Sequence, residues 1–342
     1  MEKTVCLLAR CLAALAFFAL LSLSSLAASA PPRYENVSLP GGVVLSTLFA
    51  GSATADAPVL LLLHGFPSGS SMWEGVISSA ALASFRLVAP DLRGYNRSSA
   101  PAGVASYALP LLAADVGALI GVVAADNKVH LVAHDWGGGV AWWLAAARPD
   151  LLLSLSIVDM AHPLGWILKV RTDAAQQAAS AYVLSFVNPA FTAVAEADDF
   201  ALLKSIYAAE AFWPAAEPAY ESSWSVAGTV DAALNWYRAN IVPRCPLNCT
   251  SAPCWTQGVD STFDEMPNGG VTPPSLSVLV QFGMLDSAFD VPEQLAFIET
   301  KVRGRLQVVR FPNSTHWLPQ EQPEAVAANI AAFVQLAARG GS

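Results

Sequence analysis

Short apolar runs recur along the chain, each closing on a polar residue or glycine. PVLLLLHG from Pro58, FRLVAPD from Phe85, KVHLVAHD from Lys128, LLSLSIVD from Leu152 and SLSVLVQFG from Ser275 have this form, and LQVVRFP from Leu306 is a weaker instance. Each is short for a helix and too continuously apolar for a strand with one wet face, so each predicts a strand buried on both sides. Alanine-rich stretches such as LPLLAADVGALIGVVAAD and GGVAWWLAAARPD lie between them. That alternation predicts an α/β fold, a mostly parallel sheet flanked by helices. It breaks once: from about Pro163 to Asn240 the pattern is helical and rich in aromatics, and a Pro-, Cys- and Gly-rich loop runs on to about Pro274 before strands resume. We therefore expect a core over residues 31–162 and 275–342, interrupted by a helical cap with its cysteine loop over 163–274.

Residues 1–30 follow a different pattern. Lys3 and Arg10 precede an almost wholly apolar run from Cys11 to Leu26, and the small residues of LAASA lead into Pro31 and Pro32. This order reads as a secretory signal peptide cut after Ala27 or Ser29; an uncleaved anchor in the endoplasmic reticulum membrane is the alternative, and the only route by which the chain would meet a membrane. Cysteine usage agrees with an oxidising compartment. Of the five cysteines, Cys6 and Cys11 lie in the leader, and Cys245, Cys249 and Cys254 crowd into RCPLNCTSAPC, enough for one disulfide and a spare thiol. Their spacing is not that of a zinc site. Sequons at Asn36, Asn96, Asn248 and Asn313 make a glycoprotein the expectation.

With 54% apolar and 13% charged residues, the chain is rich enough in core-forming side chains to be globular, and its net charge of −9 excludes the basic footprint of a nucleic-acid binder. The candidate chemistry sits at strand ends. In Ala133-His134-Asp135-Trp136-Gly137-Gly138 small residues flank an acid with the spacing of a nucleophile elbow, a sharp strand-to-helix turn that lifts one side chain above the sheet. A carboxylate there stays ionised beside the helix N-terminus and can attack carbon. The plainer reading is an Asp that caps the following helix. Three further features favour the first. His64-Gly65-Phe66-Pro67 follows the LLLL strand, so the Phe66 and Trp136 N–H groups can form an oxyanion hole. Asp286 ends the SVLVQFGML run, and His316 follows the last strand. The order Asp135, Asp286, His316 is nucleophile, orienting acid, general base.

In these motifs the sequence resembles the epoxide hydrolase family of α/β-hydrolases over most of residues 34–335, with the leader and the cysteine loop outside the match. The carriers are HGFP at His64–Pro67, APDLRGY at Ala89–Tyr95, HDWGG at His134–Gly138, LNWYRAN at Leu234–Asn240 and THWLPQEQPE near the C-terminus. The resemblance implies an α/β-hydrolase fold and two cap tyrosines that donate to the epoxide oxygen. NWYR supplies Tyr237, and AYVLSF supplies Tyr182 as the second. It also implies hydrolysis of epoxides to vicinal diols through an Asp135 ester, with water as co-substrate and no metal or organic cofactor, and an aromatic cap suited to small lipophilic epoxides. Asp159, at the end of SIVDMAHP, is the alternative orienting acid, as in some relatives. Asn96 stands where the family usually has glycine; asparagine tolerates left-handed backbone, and a turn there would constrain its sequon. Tyr207, Tyr220 and the cap tryptophans are expected to build the cap's core or to line the substrate tunnel. The rival readings are a haloalkane dehalogenase, which shares the Asp nucleophile but typically has Asn where Phe66 stands, and a secreted binding protein that has lost activity.

Overall fold

A computed structural model describes residues 29–245 and 252–339 of the chain. Among the described residues ten strands form: β1 (Ser29–Ser38), β2 (Val44–Ser52), β3 (Val59–Leu63), β4 (Arg86–Pro90), β5 (Val129–His134), β6 (Leu152–Val158), β7 (Ile241–Pro243), β8 (Val259–Ser261), β9 (Val278–Gly283) and β10 (Leu306–Phe311). Eight of them make one sheet in the order β1-β2-β4-β3-β5-β6-β9-β10. From β4 onward all pairs are parallel, while β1 with β2 and β2 with β4 are antiparallel. The six apolar runs are thus the six parallel strands, and β3, β5 and β9 are buried along their whole length as double-sided burial requires.

The antiparallel β1–β2 hairpin was not anticipated. Its turn carries a readable signal, Pro40-Gly41-Gly42, with both glycines at positive φ (95° and 87°). β1 is nevertheless an edge strand, exposed over most of residues 31–38, so the continuous-apolar pattern has no hold on it.

The chain winds from β3 outward to β4 and returns to add β5 on the other flank of β3. A sheet that reverses its winding in this way opens a crevice beyond the C-terminal ends of the two central strands. Register brings those ends level, because Leu63 of β3 pairs with Ala133 of β5. The loops that follow, His64–Pro67 and His134–Trp136, therefore meet above one point.

Between β6 and β9 the chain leaves the sheet for a run of helices: Pro163–Thr172, Ala174–Ala179, Ala181–Phe186, Phe191–Ser205, Trp213–Trp224 and Thr229–Asn240. Phe191–Ser205 is kinked where Asp198, Asp199 and Phe200 adopt positive φ. The following segment is more ordered than a loop reading implies, since β7 and β8 pair antiparallel. Tyr207, Trp213, Tyr220 and Trp317 pack ring to ring, joining the helices to the C-terminal loop. Tyr220 also donates its hydroxyl to Gln320 Oε1 at 3.0 Å, and the Trp224 indole N–H donates to the Pro67 carbonyl at 2.7 Å.

The leader lies outside the described residues up to residue 28, and β1 begins at Ser29. Cys245 is a free thiol and Cys254 is buried, whereas Cys249, like the Asn248 sequon, lies outside the described residues. Asn36 and Asn313 are exposed. Asn96 adopts φ 48° and donates its amide to Asp91 Oδ2 at 2.9 Å, so that sequon side chain is held in a tight turn. Among the described residues no helix is long and apolar enough to cross a membrane.

Candidate active site

Asp135 stands at the junction of β5 and the helix Trp136–Ala147, with φ 48° and ψ −126°. Few non-glycine residues hold such backbone, and its persistence requires the surroundings to enforce it. The Phe66 N–H donates to Asp135 Oδ1 at 2.8 Å. The approach is close: a Cβ on Gly65 would lie 2.2 Å from that oxygen, so only glycine fits. Burial pushes the Asp135 pKa up, but contact with His316, the charges around it and the Trp136 N–H outweigh this and bring it below the ordinary carboxylate value. The acid is ionised, and its helix-cap reading fails on geometry, because its side chain makes no capping hydrogen bond.

His316 lies between two carboxylates. Its Nδ1–H donates to Asp286 Oδ2 at 2.8 Å, and its Nε2 faces Asp135 Oδ2 at 3.6 Å, a charge contact longer than a hydrogen bond. Asp286 is itself held, with Oδ1 accepting the Ala288 N–H at 2.8 Å. Burial alone would lower the His316 pKa, but the Asp286 charge and the contacts with both acids override it and raise it well above the ordinary value. At rest the imidazole is protonated.

Asp159 is completely buried at the end of β6, takes φ 42°, and accepts the Gly283 N–H on Oδ1 at 2.7 Å. Its Oδ2 has no hydrogen-bond partner. Burial, and then the charge of Asp286, push its pKa well above the carboxylate range. The structure thus pairs His316 with Asp286 and leaves Asp159 neighbouring as a neutral acid.

Both tyrosines border the same cavity as Asp135. Tyr237, 4% exposed, is held edge-on by Phe66, Trp136 and Phe186 with ring centroids 5.0–5.3 Å away. Tyr182, 38% exposed as a whole residue, sets its ring edge-on to Phe186 at 5.2 Å and lines the cavity. Burial and then the charge of Asp135 raise both phenol pKa values, so each remains an O–H donor.

Supporting contacts complete the site. His64 is buried; its Nδ1–H donates to the Gly65 carbonyl at 3.0 Å and its Nε2 accepts the Leu92 N–H at 2.9 Å, which ties the HGFP loop to the DLRGY loop. Two residues carry roles that sequence reasoning missed. His134, held neutral by burial with its pKa lowered to about 3, donates Nε2–H to the His316 carbonyl at 2.8 Å and so hangs the His316 loop on β5. Gly283 lets that loop cross β9, since a Cβ there would lie 2.1 Å from the Thr315 carbonyl oxygen. Both contacts are to backbone atoms distant in sequence, which no motif records. Among the described residues no group of His, Cys, Asp and Glu is arranged to hold a metal ion.

The family model for the alpha/beta hydrolase fold matches residues 58–323. The AB hydrolase superfamily protein YfhM of Bacillus subtilis is 36% identical over 58% of this chain and 70% of its own length. Epoxide hydrolase 4 of Mus musculus is 28% identical over 84% of this chain and 76% of its own. The crystal structure of Bacillus megaterium epoxide hydrolase in complex with an inhibitor superposes with a TM-score of 0.73 at 27% identity, covering 88% of this chain and all (100%) of that one.

Proposed function

We propose that this member of the α/β-hydrolase fold family is an epoxide hydrolase, which opens epoxides to vicinal diols through a covalent ester on Asp135. One observation carries the reading: an ionised buried carboxylate and two phenol donors border one apolar cavity. Ring opening needs both at once, a nucleophile for carbon and donors for the departing oxygen.

Asp135 Oδ1 is held by the Phe66 N–H, so Oδ2 is the attacking atom. It bonds to a ring carbon as the C–O bond breaks, and the freed oxygen takes a proton from the Tyr182–Tyr237 pair. Esterification removes the Asp135 charge, one of the influences that keep His316 protonated. His316 then passes its proton to the tyrosinate left by ring opening and, oriented by Asp286, accepts one from water, which attacks Asp135 Cγ. Negative charge collects on Oδ1, facing the Phe66 and Trp136 N–H groups. Collapse breaks Cγ–Oδ2, the imidazolium protonates the departing diol oxygen, and the proton that water left on the Asp135 carboxyl returns to His316, restoring the resting pair. The leader read at the N-terminus would send this activity into the secretory pathway; N-terminal sequencing of protein recovered from outside expressing cells tests that, with an intact Met1 as the result against it.

The central test is intact-mass analysis of the His316→Gln variant after exposure to styrene oxide and, separately, to a chloroalkane. Gain of one epoxide mass, mapped to Asp135, is the expected result. An alkyl adduct from the chloroalkane alone would replace this reading with dehalogenation, and no adduct from either, with an inactive wild type, would favour a binding protein.

A further inference from the structure

The cavity at Asp135 has two lobes of unequal size. Asp135, Tyr182 and Tyr237 line both, so the reacting groups stand where the lobes meet. One lobe, between Phe66, Phe186, Ile206 and Trp317, has a volume of about 230 Å³. The other, between Met160, Trp166, Phe263 and Phe289, has about 30 Å³. A ring carbon attacked at Asp135 must point its substituent into one lobe and the substituent of its neighbour into the other. The small lobe admits a short alkyl group such as methyl; the large one admits an aryl ring or an extended chain.

Part of the small lobe's wall, Phe263, comes from the segment after the cysteine cluster. Phe263 is buried, with its ring 5.9 Å from that of Trp136 and 6.1 Å from that of Trp166. Its backbone is fixed from both sides. Arg171 donates to both Asp264 carboxylate oxygens at 2.6 and 2.8 Å and to the Val259 carbonyl. Ser261 Oγ donates to the Asn240 carbonyl at 2.8 Å, and Thr262 Oγ1 bonds Asn240 Oδ1 at 2.7 Å. A bidentate arginine clamp and an anchored turn fix the backbone that carries the ring, and the Trp136 and Trp166 rings pack against the ring itself.

Building on the epoxide-opening function proposed above, we infer that Phe263 sets substrate choice: the chain acts on internal epoxides with one short substituent and one large apolar substituent, and rejects those bulky on both carbons. The test compares trans-β-methylstyrene oxide with trans-stilbene oxide. For wild type the ratio of kcat/KM should favour the methyl compound by roughly 100-fold or more, as hydrophobic pockets discriminate against excess bulk. Phe263→Ala should narrow that ratio at least about tenfold, mainly by raising turnover of the stilbene oxide, and Phe263→Leu, which preserves more of the buried volume, should narrow it less in the same direction. A wild-type ratio near one, or an unchanged ratio in both active variants, would overturn the assignment while the Asp135 ester in His316→Gln still upheld epoxide opening. No turnover of either compound together with no ester would overturn both.

Discussion

The strand-end platform and the helical cap contribute to one cavity under different degrees of restraint. On the platform each group is fixed several times over: Asp135 by its backbone and the Phe66 N–H, Asp286 by the Ala288 N–H and His316, and the His316 loop by His134. The cap holds Tyr237 in a cage of three rings but Tyr182 against one. Charge is thus preorganised on the rigid side, where displacement matters most, while the side that must admit substrate retains freedom.

The sharpest test of that difference is Asp286→Asn. Loss of the orienting carboxylate should reduce ester hydrolysis on the order of 10³–10⁴-fold while ester formation persists, so the adduct accumulates in quenched turnover samples. A fall of only a few-fold would mean that the platform does not depend on this pair.

Next come the tyrosines. Tyr237→Phe should slow ester formation about 100-fold and Tyr182→Phe about tenfold, because a caged donor is worth more to a developing alkoxide than a loosely held one. Single-turnover kinetics would measure both. A larger effect at Tyr182 would reverse the ranking of the two cap positions.

These expectations also indicate what the sequence makes legible. The parallel strands, and that Asp135, Asp286 and His316 come together beyond their ends, were readable because apolar runs and strand-end motifs are local signals. The β1–β2 hairpin escaped since an edge strand has no continuous apolar run, despite its Gly41-Gly42 turn. Motifs alone left Asp159 open as the orienting acid, since both acids end sheet strands; the choice depends on which one reaches His316 Nδ1, a tertiary distance. The support from His134 to the His316 carbonyl, and the wall that Phe263 makes, join segments far apart in the chain and lie outside any local pattern.

A smaller effect separates the two chemical steps by pH. His316 must lose its proton to serve as base, and its resting pKa is raised, so ester hydrolysis should slow as pH falls, by up to tenfold per unit below the pKa of the esterified state. Ester formation needs Asp135 ionised and the phenols protonated; with one pKa lowered and the others raised, it should stay level from about pH 5 to 9. The ester fraction at steady state therefore rises on acidification, which rapid-quench mass analysis can follow. A constant fraction would remove His316 from the second step.

The smallest effect on rate is expected at Asp159, and it concerns stability. Below the unfolded-state pKa of about 3.9 both states hold the proton, and the residue contributes no pH dependence. Above it the unfolded chain releases a proton that burial keeps on the folded Asp159, so the folded state loses relative stability with rising pH until its own raised pKa is reached. Asn at this position can accept the Gly283 N–H and needs no proton. Asp159→Asn should leave Tm unchanged near pH 3.5 and raise it near pH 7.5, with kcat altered no more than about threefold. Melting curves at the two pH values check the first part and steady-state rates the second. If the rate fell as far as in Asp286→Asn, the platform would operate with two coupled acids, and its rigidity would be a property of the pair.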